Sequence, residues 1–192
     1  MTLIKTFLGF TATLALAACT TTGDSEHTNN IQNIHNHYYA QSEPAADAET
    51  VAAIDAALEG VYAVISGPVG QERDFDKMRA LFTPDAQLNA ITPNGLSGGS
   101  VEKYIVLSGP FLVQMGFTER QLDRRLEVYG NLAHAWSSYE GTFTQADGSR
   151  GQVQGINSFQ LVRQDDGSWL VQSILWQQGT PDFPLPDDLN GE

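Results

Sequence analysis

Between residues 47 and 65, hydrophobic residues recur every three or four positions. The set consists of Val51, Ile54, Leu58, Val61, Tyr62 and Ile65. This spacing places all six side chains on one face of a helix, so it predicts an amphipathic helix packed against a core. Ser66-Gly67-Pro68 then ends the helix, because Gly supplies a left-handed cap and Pro cannot continue the helical hydrogen bonds.

Two shorter helices are predicted further along the chain. Asp74 can cap a helix that ends near Thr83-Pro84. Ser100 can cap another helix, which Gly109-Pro110 should break or kink near its end. The segment between them is predicted to contain a short strand over residues 87–91. Residues 95–100 are interpreted as a flexible loop, because their spacing matches no phosphate-binding loop.

After residue 117 the pattern changes from helical spacing to alternation. Four strands are predicted, over residues 118–129, 131–144, 152–164 and 168–177. The dipeptides between them are Gly130-Asn131, Asp147-Gly148 and Asp166-Gly167. They are typical of two-residue hairpin loops, because they tolerate positive φ. Helices followed by antiparallel hairpins predict an α+β fold.

The hairpin loops also predict which side chains share a face of the sheet. Two-residue loops at Asp147-Gly148 and Asp166-Gly167 pair residues whose numbers sum to about 295 and about 333. One face then carries Trp136, Phe159, Leu161, Ile174 and Trp176, together with His134, Ser138 and Asn157. The opposite face carries Ala133, Ala135, Ser137, Tyr139, Ser158 and Gln160. We expect the helices to cover the aromatic face.

A third register follows if Gly130-Asn131 is also a two-residue loop. The cross-strand pairs are then Glu127 with His134, Arg125 with Trp136, and Asp123 with Ser138. In this arrangement Arg125 is expected to make a cation–π contact with Trp136. A slip of one residue would replace all three strand partners by their neighbours.

Composition and charge narrow the function classes. The 192 residues include 10 Lys and Arg against 23 Asp and Glu, a formal net charge of -13. Phosphates would repel this chain, so we expect no nucleic-acid partner. The chain has 1 Cys. It therefore lacks the thiols for an internal disulfide, a four-cysteine zinc site or an iron–sulfur cluster.

The N-terminal segment has the order of a secretory signal. Lys5 precedes an apolar run that is too short for the roughly 20 residues of a membrane-spanning helix. The run ends in Leu16-Ala17-Ala18-Cys19, which resembles the lipobox of bacterial lipoproteins. The resemblance implies a signal peptide over residues 1–18, cleavage before Cys19, and lipidation of Cys19. Because Thr20 rather than Asp follows, it implies an outer-membrane protein that faces the periplasm.

Polar or proline-rich segments flank the central domain. Residues 19–46 are rich in Thr, Asn, Ser, Gln and His without apolar periodicity, so they are predicted to form a flexible tether. Residues 179–192 hold three prolines within positions 181–186 and are predicted to form an extended tail. The domain itself is assigned to residues 47–178.

The central domain resembles the nuclear transport factor 2-like superfamily, which includes SnoaL-like polyketide cyclases, ketosteroid isomerase and scytalone dehydratase. Residues 80–86, 130–140, 155–162 and 167–176 carry the likeness. It implies a cone-shaped α+β fold with three N-terminal helices packed on a curved antiparallel sheet. Enzymes of the superfamily place an Asp, His or Tyr inside the cone, but no catalytic set maps onto this chain residue by residue.

Two interpretations of the aromatic face remain open. In the first, its polar members only satisfy one another's hydrogen bonds in the core. Alternatively they line a ligand pocket formed by Trp136, Ser138, Asn157, Phe159, Ile174 and Trp176. In that pocket His134 is a candidate general base whose other nitrogen is oriented by Glu127, with Asp123 as a further converging polar group, while Asn157 can donate to an oxyanion.

Two functions follow from the pocket interpretation. The favoured one is a lipid-anchored, non-catalytic domain that binds a small apolar ligand or forms a homodimer through the outer sheet face. The alternative is a cofactor-free isomerase, cyclase or dehydratase with His134 as base. Neither function calls for a metal or a cofactor.

Overall fold

Three α-helices and six β-strands succeed one another in the computed structural model, which describes residues 46–191. The helices are α1 (Ala48–Ile65), α2 (Phe75–Ala80) and α3 (Val101–Gln114). The strands are β1 (Phe82–Thr92), β2 (Gly95–Ser100), β3 (Thr118–Tyr129), β4 (Leu132–Thr144), β5 (Arg150–Arg163) and β6 (Trp169–Gln178). The predicted signal peptide, the tether and Cys19 lie outside the described residues.

The helix starts follow the predicted capping residues. Asp47, Asp74 and Ser100 each accept a hydrogen bond from the backbone N–H three residues later. Of the predicted break or kink at Gly109-Pro110, the break is wrong, because Pro110 lies inside α3, which continues to Gln114. Pro110 cannot donate a hydrogen bond to the carbonyl of Val106, but Val106 is exposed, so water can satisfy that carbonyl.

The sheet is mixed rather than purely antiparallel, with the strand order β2-β1-β6-β5-β4-β3. β1 pairs with β6 in parallel, and every other pair is antiparallel. The predicted loop over residues 95–100 is strand β2, which forms a hairpin with β1. Thr92 fixes the turn, because its hydroxyl accepts from Asn94 N and donates to the carbonyl of Gly95.

The predicted register between β4 and β5 is wrong by one residue. Gln145 and Ser149 flank a three-residue loop, in which Gln145 N donates to the carbonyl of Ser149 and Gly148 N to that of Gln145. Gly148 has a φ of 83°, a conformation that glycine adopts without strain. The additional loop residue places Ala135, not Trp136, opposite Phe159.

The other two registers are as predicted. The loop between β5 and β6 also has three residues, but a bulge in β6 shifts the strand back, so Asn157 faces Trp176 and Phe159 faces Ile174. The Gly130-Asn131 loop has two residues. Its cross-strand pairs are those predicted, Glu127 with His134, Arg125 with Trp136 and Asp123 with Ser138.

The one-residue slip decides which side chains reach the core. We call the sheet face beneath the helices the inner face and the opposite one the outer face. The inner face carries Ala133, Ala135, Ser137, Tyr139, Asn157, Phe159, Leu161, Ile174 and Trp176. Trp136 and His134 lie on the outer face, so they are on the opposite side of the sheet from Trp176. The predicted grouping of the two tryptophans is therefore wrong.

A bulge at Leu122 in β3 changes the direction of the side chains before it. Side chains alternate between faces along a strand, so an additional residue inverts the alternation. Glu119 and Gln121 therefore share the inner face with Leu126, whereas regular alternation would turn both of them outward. This bulge brings Glu119 into the interior.

The helices are held to the sheet by both apolar and polar contacts. Tyr62 of α1 packs edge-on against Phe159, with ring centroids 6.0 Å apart. Arg124 of β3 donates two hydrogen bonds, of 2.5 and 2.6 Å, to the carboxylate of Asp55 in α1. The buried Arg73 guanidinium donates to backbone carbonyls that include those of Ile65, Gly67, Leu112 and Phe117. It thereby joins the ends of α1 and α3 to the start of β3.

The proline-rich C-terminal segment folds back onto the domain. A short 3₁₀ helix, Asp187–Leu189, buries Leu189 completely next to β3, and Asp188 lies 3.4 Å from Arg125. The prediction of an extended tail is right that the prolines exclude an α-helix. The end of the segment packs against β3 through Leu189.

Candidate active site

A cavity of about 320 Å³ lies between the helices and the inner face. Its wall is mostly apolar, formed by Ile65, Met78, Leu88, Phe111, Leu112, Phe117, Phe143, Val153, Ile174 and Trp176. The polar groups that reach it are those of Tyr104, Ser108, Glu119, Tyr139, Asn157 and Gln178. Phe111 lines the cavity yet is 41% exposed, so the cavity opens to the surface beside α3.

Glu119 is the ionisable carboxyl group of this cavity. Burial among apolar side chains raises the pKa of Glu119 to about 7, and a hydrogen bond from Asn157 opposes the shift. Asn157 Nδ2 lies 3.1 Å from Glu119 Oε1. Because that amide fixes one oxygen, the other oxygen is left to meet a ligand. Glu119 also borders an open groove between α1 and β3, through which its proton can exchange with water.

Asn157 is itself held by a directional chain of hydrogen bonds. Its amide also donates to Tyr62 Oη at 3.2 Å, and Tyr62 Oη lies 2.7 Å from Ser137 Oγ. Ser137 donates its own proton to Gln121 Oε1 at 2.9 Å, so Tyr62 must donate to Ser137. Every proton in the chain therefore has one acceptor, which keeps the Asn157 amide oriented toward Glu119.

Two further tyrosines approach the carboxyl group. Burial, together with the negative charge of Glu119, raises the pKa of both Tyr104 and Tyr139 well above its usual range. Both hydroxyls therefore keep their protons at neutral pH and can donate to a ligand oxygen. Tyr104 is positioned by Trp176, whose ring lies edge-on at 6.2 Å.

The predicted pocket residues divide between the two faces. Asn157, Ile174 and Trp176 line the cavity, and Phe159 lies in the core beside it. Trp136 lies on the outer face at 41% exposure. Ser138 is buried at the β3 bulge, where its hydroxyl bonds the backbone N and O of Asp123, so it does not reach the cavity.

The predicted base and its partners form a separate cluster on the outer face. His134 Nε2 lies 3.0 Å from Ser158 Oγ, and His134 Nδ1 lies 3.9 Å from the exposed Glu127. Asp123 is also exposed. His134 as base of the interior pocket is therefore wrong.

The expected cation–π contact is confirmed on this same face. The Arg125 guanidinium carbon lies 5.8 Å from the centre of the Trp136 ring. This contact and the Arg125–Asp188 ion pair fix the outer face close to the C-terminal segment.

The sequence pattern does not identify Glu119, Tyr62 or Tyr104 as site residues. It also predicts Ser137 and Tyr139 on the outer face, which is wrong. Tyr62 carries a local signal, since it belongs to the predicted apolar face of α1. Glu119 carries none, because its direction depends on a bulge that no turn residue marks.

Neither a metal cluster nor a membrane-crossing helix is found in the part of the chain that the structure describes. Within residues 46–191, no three side chains of His, Cys, Asp or Glu come together as metal ligands. None of the helices in that range combines the length and apolar character needed to cross a membrane.

Solved structures of other proteins share the fold of this domain. No protein-family model and no curated protein matches the chain, whereas 152 chains of solved structures do. The described domain has the nuclear transport factor 2-like fold, as its cone-shaped α+β architecture indicates.

Three of the similar structures illustrate the likeness. A nuclear transport factor 2-like protein from Salmonella enterica aligns with a TM-score of 0.56 and 17% identity, over 74% of this chain and 96% of that chain. One of unknown function from Methylobacillus flagellatus aligns at 0.52 and 15%, over 71% and 97%. A hexachlorocyclohexane dehydrochlorinase from Novosphingobium barchaimii aligns at 0.56 and 13%, over 69% and 88%. At these identities the likeness concerns the fold.

Proposed function

We propose that the interior cavity binds a small, uncharged, largely apolar molecule and that Glu119 acts on it as a general base without a cofactor. The reaction class is proton transfer of the kind found in isomerisation, dehydration or elimination. The observation that carries this proposal is the Glu119 carboxyl group in an apolar wall, with its pKa raised to about 7 by burial. A base with a pKa near the working pH is both available and strong.

The remaining polar groups fit this role. Tyr104 and Tyr139 keep their protons, so they can stabilise negative charge that develops on a ligand oxygen. The volume of about 320 Å³ suits a ligand of one or two rings. The fold supports the class only at the level of analogy, since one similar structure is a dehydrochlorinase, whose activity is an elimination.

The first test uses 5-nitrobenzisoxazole, a small neutral probe that a carboxylate base opens by removing a ring proton. Glu119 accepts the proton and the N–O bond breaks. The electron pair of that bond stays on oxygen, which gives a coloured phenolate. Glu119→Gln should lower kcat/KM by about 10²–10⁴-fold, because only the base is removed. The wild-type rate should rise with pH through the pKa of Glu119, with a midpoint near 7.

The control is His134→Ala, which changes the outer face only and should leave the rate unchanged. Equal rates for wild type and Glu119→Gln, or a profile without the step near pH 7, would show that Glu119 is not a base.

Ligand binding would then stand as the function by itself. Native mass spectrometry of the purified protein tests it, since a co-purifying molecule should be lost when Ile174→Trp fills the cavity.

We further propose that the mature protein begins at Cys19 and is attached by lipid to a bacterial membrane, the outer membrane facing the periplasm. Support comes from the lipobox-like Leu16-Ala17-Ala18-Cys19 and from Thr20 after it. More than one acyl chain gives stable attachment, at about 0.8 kcal/mol per buried CH₂.

A further inference from the structure

An uncharged end of the domain surrounds the opening of the cavity. Residues 66–71, 104–118 and 141–146 contain no Asp, Glu, Lys or Arg, in a chain whose net charge is -13. Backbone hydrogen bonds join the three segments, from Gly67 N to the carbonyl of Phe117 at 3.0 Å and from Thr144 N to that of Met115 at 2.7 Å. Three segments without charged residues therefore meet at one end of the domain, where the nearby cation Arg73 is buried beneath them.

This end also exposes large apolar side chains. Val106 is 72% exposed, Leu107 58% and Phe111 41%, all on α3. Val69 is 57% exposed and lies next to the last turn of α3. Its neighbour Gly70 donates its backbone N–H to the carbonyl of Val113 at 2.8 Å. We call Val69, Val106, Leu107, Pro110 and Phe111 the mouth patch. Clustered exposed apolar residues of this kind mark an interaction surface.

The mouth patch is continuous with the cavity. Phe111 belongs to both, and its ring packs against Phe117 at 5.8 Å and Phe143 at 5.5 Å, which also line the cavity. A molecule that enters beside Phe111 therefore passes from one apolar surface to another without crossing a charged rim.

We propose that the mouth patch contacts the surface of a lipid bilayer, so that the cavity takes up its apolar ligand from the membrane. This inference rests on the proposed function for the cavity ligand and for attachment at Cys19. The residue Cys19 precedes the first described residue by 27 positions, a chain length that spans at most about 100 Å. The domain is then held within reach of the membrane, and its acidic remainder faces away from lipid phosphates.

A second copy of the chain fits the mouth patch less well. A standard protein interface uses about 20–30 residues on each side, whereas the mouth patch offers five large side chains. A bilayer needs no complementary shape, so a small apolar patch suffices for weak, reversible contact.

The test uses the chain from residue 19 onward with Cys19→Ser, which is free of cysteine and of lipid. Leu107→Cys in this background accepts a single environment-sensitive nitrobenzoxadiazole label on the mouth patch. The matched control is Leu132→Cys, whose native side chain is similarly exposed, at 53% against 58%. Neutral phosphatidylcholine vesicles should shift the emission at position 107 to shorter wavelength in a saturable way and leave position 132 unchanged.

Adding Val106→Asp to the Leu107→Cys chain should weaken vesicle partitioning by about tenfold, because the bilayer loses contact with one apolar side chain and meets a charge instead. Circular dichroism confirms that the variant is folded. No shift at position 107, or equal shifts at both positions, would overturn the proposal. A shift that grows with protein concentration without vesicles would assign the mouth patch to contact between copies instead.

The outcome is independent of the rest of the proposed function. The labelled chain carries no lipid and the readout involves no chemistry at Glu119. Failure here therefore leaves general-base catalysis and lipidation untouched, and failure of either of those leaves this measurement valid.

Discussion

At the scale of single residues, the interior of the domain is organised around one carboxyl group. Tyr62 donates to Ser137 and Ser137 donates to Gln121, so the hydrogen bonds all run in one direction. The Asn157 amide therefore donates one N–H to Tyr62 and the other to Glu119. The same burial that raises the pKa of Glu119 disfavours its charge in the folded state. Reactivity and stability at this position are therefore opposed.

This opposition predicts a pH-dependent stability. The pKa of Glu119 is about 7 when folded against an ordinary value of 4.5, so the folded chain retains a proton that the unfolded chain releases. The free energy of unfolding should fall as pH rises from 4.5 through 7, by at most about 3 kcal/mol, and this contribution should then stay constant.

Urea unfolding of wild type and Glu119→Gln at pH 5 and pH 8 isolates this group from the other carboxyl groups. Gln cannot ionise, so its stability relative to wild type should increase at the higher pH. A difference between the two proteins that is the same at both pH values would show that the pKa of Glu119 is not raised.

At the scale of elements, small backbone irregularities decide which side chains meet. The three-residue β4–β5 loop moves Trp136 to the outer face, and the bulge at Leu122 moves Glu119 to the inner face. In β5, a residue without a side chain makes room for the Tyr139 ring. A Cβ atom at Gly155 would lie 2.7 Å from the Tyr139 hydroxyl and 2.3 Å from the carbonyl oxygen of Gln177.

Gly155→Ala should therefore destabilise the domain by about 1–3 kcal/mol, because strand and ring must shift to admit one methyl group. The matched control is Gly179→Ala, where the nearest atom to the new Cβ is 3.4 Å away, an ordinary contact. Thermal unfolding followed by circular dichroism compares the two. Equal melting temperatures would mean that Tyr139 can move freely, and the cavity wall would then be less rigid than the contacts indicate.

At the scale of the whole molecule, the proposed lipid on Cys19 would hold the domain at a membrane surface. The proposed cleavage before Cys19 removes Lys5, leaving 9 Lys and Arg and changing the net charge from -13 to -14. This negative charge would not attract the domain to anionic lipid, so the proposed attachment relies on the lipid at Cys19 and on the mouth patch. Homodimerisation through the outer sheet face, where Trp136 and Leu175 are partly exposed, stays a prediction.

Lipidation predicts the behaviour of Cys19→Ser in a bacterial cell. The protein should move from the carbonate-washed membrane fraction to the soluble fraction and lose incorporation of a palmitate analogue, because the thiol that bears lipid is gone. Thr20→Ser serves as the control and should remain in the membrane fraction. If Cys19→Ser withstood the carbonate wash, attachment would have to lie elsewhere.

Local sequence determined much of the fold. The helix caps at Asp47, Asp74 and Ser100, and the segments that form β3 to β6, follow from spacing and turn chemistry that act within a few residues. The likeness to the nuclear transport factor 2-like fold followed from the order of these elements. Lipidation at Cys19 also rests on sequence alone, since that residue lies outside the described part of the chain.

The position of each side chain in the site was decided only by the tertiary structure. One additional loop residue inverts a whole strand, and an Asp-Gly pair is compatible with loops of two or three residues. Parallel pairing of β1 with β6, inclusion of Pro110 in α3 and the bulge that turns Glu119 inward all depend on contacts between distant segments. A carboxyl group becomes a candidate base when such contacts bury it among apolar side chains, and no local pattern of residues records that burial.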